Sequence, residues 1–357
     1  MLEMARRELE RMRESADAWA DLRYTRATDA EGDDYDGNAA RRATVLWALQ
    51  YDLRPDDLPL VRWLAEQEAE CRGEAPFQGL TEEIELAGFL LATFRRVEDV
   101  WLQGRIKLAN FDTSCGYDLE HLFAAGVPET IAFVRDSEHA DRDATLELLL
   151  DDDRPWVSGQ RLAEWFRDGQ ERFPADPAAE DPMTWIQRAQ LIGDSRTARE
   201  WLDRWAADRP RDAHTLSQLQ YYLADLGALA EAAAAQREAV AWAEDPWDAA
   251  SAWRTLAALE RRAGHHRAAW AALIECRQAF DDVPDWRETG LARAYVEELF
   301  LLAGSAEADS AREVFTEADR QARDIPRLPP VVFQAAVSAA DRLGLAGPSE
   351  YYRRLGP

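Results

Sequence analysis

Apolar residues along this chain recur at three- and four-residue spacing, the period of helices that hide one face. Between Thr81 and Arg95, Ile84, Ala87, Leu91 and Phe94 share a face, and Leu86, Phe89 and Leu90 widen it. Such a helix is expected to be buried on two sides. Thr81 suits its N-cap, with Glu82 and Glu83 in the first turn, where negative charge favours the helix dipole. Similar patterns predict helices over Leu2–Tyr24, Ala39–Tyr51, Leu58–Cys71, Val97–Asn110, Leu119–Ala125, Pro128–Arg135, Thr145–Leu150 and Trp156–Phe173. Thr28–Asn38, rich in Asp and Gly, reads as a loop, and Asp151–Asp153 as a solvated helix end. No period-two alternation persists, so the expected class is all-α without a sheet.

After the Pro174–Pro182 linker the pattern repeats. Asp181-Pro182 reads as an N-cap and first helical residue. Gly193 and Gly227 lie 34 residues apart and Gly264 follows 37 later, each with an alanine five positions on: Ala198, Ala232 and Ala269. Trp253, Leu256 and Ala257 open the unit that turns at Gly264. A weaker unit runs from Trp286 to Arg323, with Gly304 at its turn and Ala311, Phe315 and Ala318 beyond. A closing helix pair, Val331–Leu343 and Pro348–Leu355, is expected to cap the array.

An aromatic, a Leu with a small neighbour, a turn glycine, an alanine, a bulky apolar residue and a terminating Pro together resemble the tetratricopeptide repeat. The resemblance covers about 140 residues and implies an α-solenoid of stacked antiparallel helix hairpins. Small residues would let paired helices approach, and glycine would turn the chain. The expected organisation is a divergent helical region over 1–174, repeats over 181–323, and capping helices over 324–357. In such arrays ligands meet the inner face, lined by the first helix of each hairpin. The resemblance therefore points to His214, Ser217 and Tyr221 in one unit and Arg254, Ala258 and Arg261 in the next. Two arginines one to two turns apart could grip a carboxylate. The Lys/Asn clamp that some members use for C-terminal carboxylates is missing, so that ligand is not carried over.

Charge narrows the classes. A formal net charge of −26 argues against nucleic acid, since binding would bring like charges together. No apolar run approaches a bilayer span and no signal-peptide core opens the chain, so a cytoplasmic location is expected. Cys71, Cys115 and Cys276 form neither a CxxC pair nor a disulfide framework.

Lys107 is the only lysine among 42 basic residues, and Asn110 one of two asparagines. Both fall in the stretch Lys107–Asp118, which makes Lys107, Asn110, Asp112, Cys115 and Asp118 a candidate polar cluster. Lys107 is expected to pair with Asp112 or to cap backbone carbonyls. Cys115 is placed in the first turn of a helix capped by Ser114, where its thiol would be acidified, though an inert buried Cys is the commoner case. Six helical residues would separate Cys115 from His121 by about 120°, a poor nucleophile–base geometry. No metal-ligand spacing, phosphate loop or nucleophile elbow is present, so neither cofactor nor metal is expected. The expected function is a non-catalytic scaffold for a protein or peptide partner. An enzyme or small-ligand sensor with a pocket around Lys107, Asn110, Asp112 and Cys115 is the alternative.

Overall fold

In the computed structural model, which describes residues 1–30, 32–74 and 79–356, helices carry nearly all of the fold. The chain divides into two compact units, Met1–Thr197 and the remainder from Ala198. The first contains α1 (Leu2–Glu14), α2 (Ala39–Tyr51), α3 (Leu58–Glu74), α4 (Glu82–Thr93), α5 (Val100–Lys107), α6 (Phe111–Gly116), α7 (Val127–Arg135), α8 (Arg142–Leu149), α9 (Gly159–Arg172) and α10 (Pro182–Leu191). α11 (Ser195–Ala207) spans the boundary. The second unit continues with α12 (Ala213–Asp225), α13 (Leu229–Ala239), α14 (Pro246–Arg262), α15 (His266–Ala279), α16 (Gly290–Ala303), α17 (Ala308–Asp324), α18 (Pro330–Leu343) and α19 (Ala346–Leu355).

Two small antiparallel hairpins depart from the expectation of no sheet. β1 (Arg26–Thr28) ends where the stretch expected as a loop begins and pairs with β2 (Asp34–Asp36) inside it; Glu31 between them lies outside the described residues. Thr28 Oγ1 donates to Asp34 Oδ1 at 2.8 Å across it. β3 (Leu150–Asp151) pairs with β4 (Arg154–Pro155), so the aspartate run is a hairpin turn and not a helix end. Asp152 and Asp153 have φ of +45° and +64°, a conformation that short polar side chains tolerate and two-residue hairpin turns demand. Strands of two or three residues are too short to show a period in sequence.

α4 is the centre of the first unit, packed on α2, α3 and the 3-10 turn Leu119–Phe123. Ile84, Leu86, Ala87 and Leu91 on opposite sides of it are all fully buried, as the widened apolar face predicts. Gly88 within it answers a packing need. A Cβ there would stand 1.8 Å from Tyr117 Oη, so the missing side chain is what admits the buried tyrosine to Gln103. The linker region is pinned in place: Gln50 Nε2 donates to the Pro174 carbonyl at 3.0 Å and to Glu180 Oε2 at 2.9 Å. Arg188 of α10 joins that network through Gln50 Oε1 at 2.7 Å and Glu82 at 2.9 Å.

In the second unit successive helices pair, α12 with α13, α14 with α15, α16 with α17 and α18 with α19, and α16 also lies against both α14 and α18. The turn glycines share one geometry. Gly193, still in the first unit, and Gly227, Gly264 and Gly344 of the second have φ of +72°, +75°, +81° and +70°. In each case the following N–H reaches back to a carbonyl five residues earlier, as in Asp194 to Ala189, Ala228 to Leu223, His265 to Glu260 and Leu345 to Ala340, at 2.8–2.9 Å. This is the Schellman closure of a helix C-terminus. Five residues beyond each glycine a small residue is buried: Ala198, Ala232, Ala269 and Ser349. Gly304 keeps step without the left-handed backbone, at φ −73°. A longer turn follows it, and Ala311 becomes the buried small residue.

A Cβ on Gly264 would meet no atom within 4 Å, so the need for glycine there is conformational alone. Gly264→Ala is expected to cost about 1–2 kcal/mol, and Gly264→Asn distinctly less, since Asn tolerates that backbone. Urea denaturation of the three proteins checks it. Equal stability of the alanine and wild-type proteins would contradict the assignment.

Candidate functional site

The Lys107–Asp118 stretch folds into α6 and its flanks. Asn110 is the N-cap: its Oδ1 accepts from Thr113 N at 2.8 Å while Thr113 Oγ1 accepts from Asn110 N at 3.0 Å, a reciprocal capping box. At the other end Lys107 Nζ donates to the carbonyls of Ser114 and Tyr117, both at 2.7 Å. The ammonium thus caps the helix C-terminus, where orphan carbonyls and the dipole favour a cation. Burial lowers the Lys107 pKa, opposed by the nearby Asp118 charge. Of the two structural expectations for Lys107 the carbonyl cap is the one found, and the pair with Asp112 is not. Asp112 is exposed. Cys115 is corrected as well: it sits in the last turn of α6, not the first, and is exposed.

Asp118 and His121 belong to a different feature. A cavity of about 160 Å³ opens between α4, the Leu119–Phe123 turn and α9, lined among others by Glu85, Phe89, Asp118, His121, Asp168 and Trp165. Asp118 Oδ2 accepts from the Trp165 indole at 2.8 Å. The His121 ring stacks on Tyr117 at 4.1 Å and meets the edge of Trp165 at 4.6 Å. It is 4 % exposed, and its Nδ1 has no hydrogen-bond partner. Burial drives its pKa down to about 3, only weakly opposed by a hydrogen bond to the Gly88 backbone. The imidazole is therefore neutral. Two cations line the same space, and both are paired. Arg172 reaches both oxygens of Glu85, at 2.8 and 2.5 Å, and Arg161 Nε binds Glu120 at 2.7 Å.

Sequence reasoning missed the α9 side of this cavity. A usable signal was Gly169, a glycine inside a strongly amphipathic helix. A Cβ there would stand 2.2 Å from the Phe89 ring.

On the second unit His214, Ser217 and Tyr221 all lie exposed on α12, Tyr221 at 60 %. Arg254, Ala258 and Arg261 are half-buried along α14. Arg261 binds Glu298 of α16 at 2.6 Å, and that glutamate is buried. Its guanidinium thus stabilises helix packing, and Arg254 and Arg261 do not form an open fork. Glu260 is buried in the same manner against Arg237 and His265. Of the tryptophans, Trp47, Trp165, Trp185, Trp205 and Trp286 fill the interior, while Trp156, Trp242 and Trp247 stand exposed.

Among the described residues no group of three or more His, Cys, Asp or Glu side chains could hold a metal ion, and no helix is long and apolar enough to cross a membrane. No protein-family model matches the sequence, and no curated protein matches it.

Proposed function

We propose that the second unit is a tetratricopeptide-like stack of helix hairpins that binds a protein or peptide partner along the exposed side of its first helices, without chemistry of its own. The observation that carries this reading is the repeated helix closure at Gly227, Gly264 and Gly344, each followed five residues on by a buried small residue. Recurrence of one packing unit is how a solenoid builds its core. The neighbours of α16, which lies against α14 and α18, fit the same scheme.

On α12 the row His214, Ser217 and Tyr221 is free of packing duty, and on α14 Trp247 shares a stripe with Arg254, Ala258 and Arg261 at helical spacing. Exposed tyrosine and tryptophan are the side chains that most often anchor partners. With Arg261 paired internally, the partner is read as docking apolar or aromatic side chains rather than presenting a carboxylate to an arginine fork. The overall acidity makes nucleic acid the disfavoured partner.

The test is selection of peptides from a random display library on the full chain, repeated with Tyr221→Glu and His214→Glu. Enriched peptides whose affinity falls at least tenfold in the Tyr221→Glu protein support the reading. No enrichment, or enrichment indifferent to both substitutions, overturns it.

A further inference from the structure

We propose that the groove of the second unit between α15, α16 and α17 binds a small uncharged aromatic carbonyl compound, whose oxygen accepts from Tyr295 and Arg277 and whose ring lies against Trp270 and Ile274. None of these residues belongs to the partner surface read on α12 and α14, and the proposal does not rest on that reading.

Three observations converge. First, a donor without a partner lies in the groove. Tyr295 is 1 % exposed, with its ring edge-on to Phe280 at 5.8 Å, and a tyrosine so buried ordinarily has its hydroxyl bonded. This hydroxyl makes no hydrogen bond among the described residues, and it is not sealed off as Arg277 Nε is. Burial raises its pKa, so the phenol stays protonated and able to donate. Second, another donor lines the same groove. Arg277 gives one terminal nitrogen to Asp281 at 2.7 Å and leaves the other without a hydrogen bond among the described residues. Its guanidinium lies 4.8 Å over the Trp286 ring, and Trp286 stacks on Phe280 at 4.4 Å. One aromatic stack therefore holds both donors in place. A carbonyl oxygen has two lone pairs and can accept from both. The neighbouring Glu317 does not take that role, because Arg320 and Gln321 already occupy its oxygens. Third, the wall is apolar. Trp270 and Ile274 stand one turn apart on α15, and Ile274 is 40 % exposed. Water can meet the two donors but leaves this wall wet, whereas an aromatic carbonyl keeps the bonds and covers the wall. A volume of about 530 Å³ is within the range of small-molecule sites.

Charge then fixes the class. Arg277 is paired with Asp281 and Glu317 with Arg320, while Glu313 at the groove has no ion pair among the described residues. The surplus is negative, so a carboxylate ligand is repelled where an amide or ketone is not.

The test uses the full chain at pH 7.5 with N-methylbenzamide, toluene and benzoate as probes, each titration followed by the indole N–H resonance of Trp270. Saturable binding of the amide, tighter than either other probe by about fivefold, supports the proposal. Tyr295→Phe removes the hydroxyl and keeps the ring in its stack. Amide affinity should then fall about fivefold while toluene binds as before. Equal binding of toluene in the wild-type chain would show that no acceptor is read. Tighter binding of benzoate would show that the groove takes an anion, and saturation by no probe that it holds only water; each of these overturns the proposal. So does an unchanged amide affinity in Tyr295→Phe. Displacement of the amide by a peptide selected on the full chain would give the groove to the protein partner and overturn it too.

Discussion

Arg42→Met is expected to remove about 3–5 kcal/mol from the stability of the first unit, the usual consequence of leaving buried charge without its partner. Arg42 of α2 has no exposed surface. Its Nε donates to Glu68 at 2.8 Å, its second guanidine nitrogen to the Leu22 carbonyl at 3.2 Å, and its third to Asp36. Both carboxylate side chains are almost fully buried as well. Methionine would fill most of the volume while stranding two negative groups in a medium that solvates them poorly. Burial, and after it the charge of Glu68, push the nearby Glu83 carboxyl up to about 7, a sign of how hostile this interior is to unpaired negative charge. Hydrogen exchange of the α2 and α4 amides in urea measures the loss within this unit. A double variant, Arg42→Met with Glu68→Leu, should recover part of it, because it removes one of the two stranded charges while Asp36 is left without its partner. A cost below about 1 kcal/mol for the single change would mean that water reaches these carboxylates.

That cluster also marks where the sequence stops being readable. Helix periods and turn glycines are local, so α2, α4 and the closures at Gly193, Gly227 and Gly264 could be placed from neighbouring residues alone. Arg42 stands in the same run as Val45, Leu46 and Leu49, with a partner 26 residues away in α3 and another in a hairpin too short to leave a pattern. Nothing local distinguishes it from an arginine facing solvent. Lys107 and Asn110 were conspicuous through rarity, and both proved to hold α6 at its ends. Rarity located them but gave no role. An angle of about 120° between Cys115 and His121 holds only if one α-helix runs through both. The chain instead leaves α6 at Gly116 and re-forms as a 3-10 turn at Leu119, so the ring is placed by Tyr117 and Trp165, and only tertiary packing could reveal that.

His121 should give the first unit an acid limb that its replacement by phenylalanine removes. In the folded chain burial holds the imidazole pKa near 3, against an ordinary value of 6.5. Above pH 6.5 neither the folded nor the unfolded state carries the proton, and the residue is neutral in its effect. Between 6.5 and 3 the unfolded chain binds a proton that the folded chain refuses, so stability falls as pH falls and levels off only below about 3. From pH 7.5 to 4.5 the loss from this group alone is about 3 kcal/mol. The groups around it do not reverse the sign. Arg172 and Lys107 disfavour its protonation, and Asp118 is engaged by the Trp165 indole. Phenylalanine preserves the stack on Tyr117, so the comparison isolates the ionisation from the packing. Hydrogen exchange of α4 and α9 amides at the two pH values, in both proteins, gives the difference directly. The wild-type chain should lose about 3 kcal/mol more than the variant over that interval. Parallel losses in the two proteins would mean that the imidazole ionises in place, and that the cavity beside it offers a proton's charge enough solvent to live with.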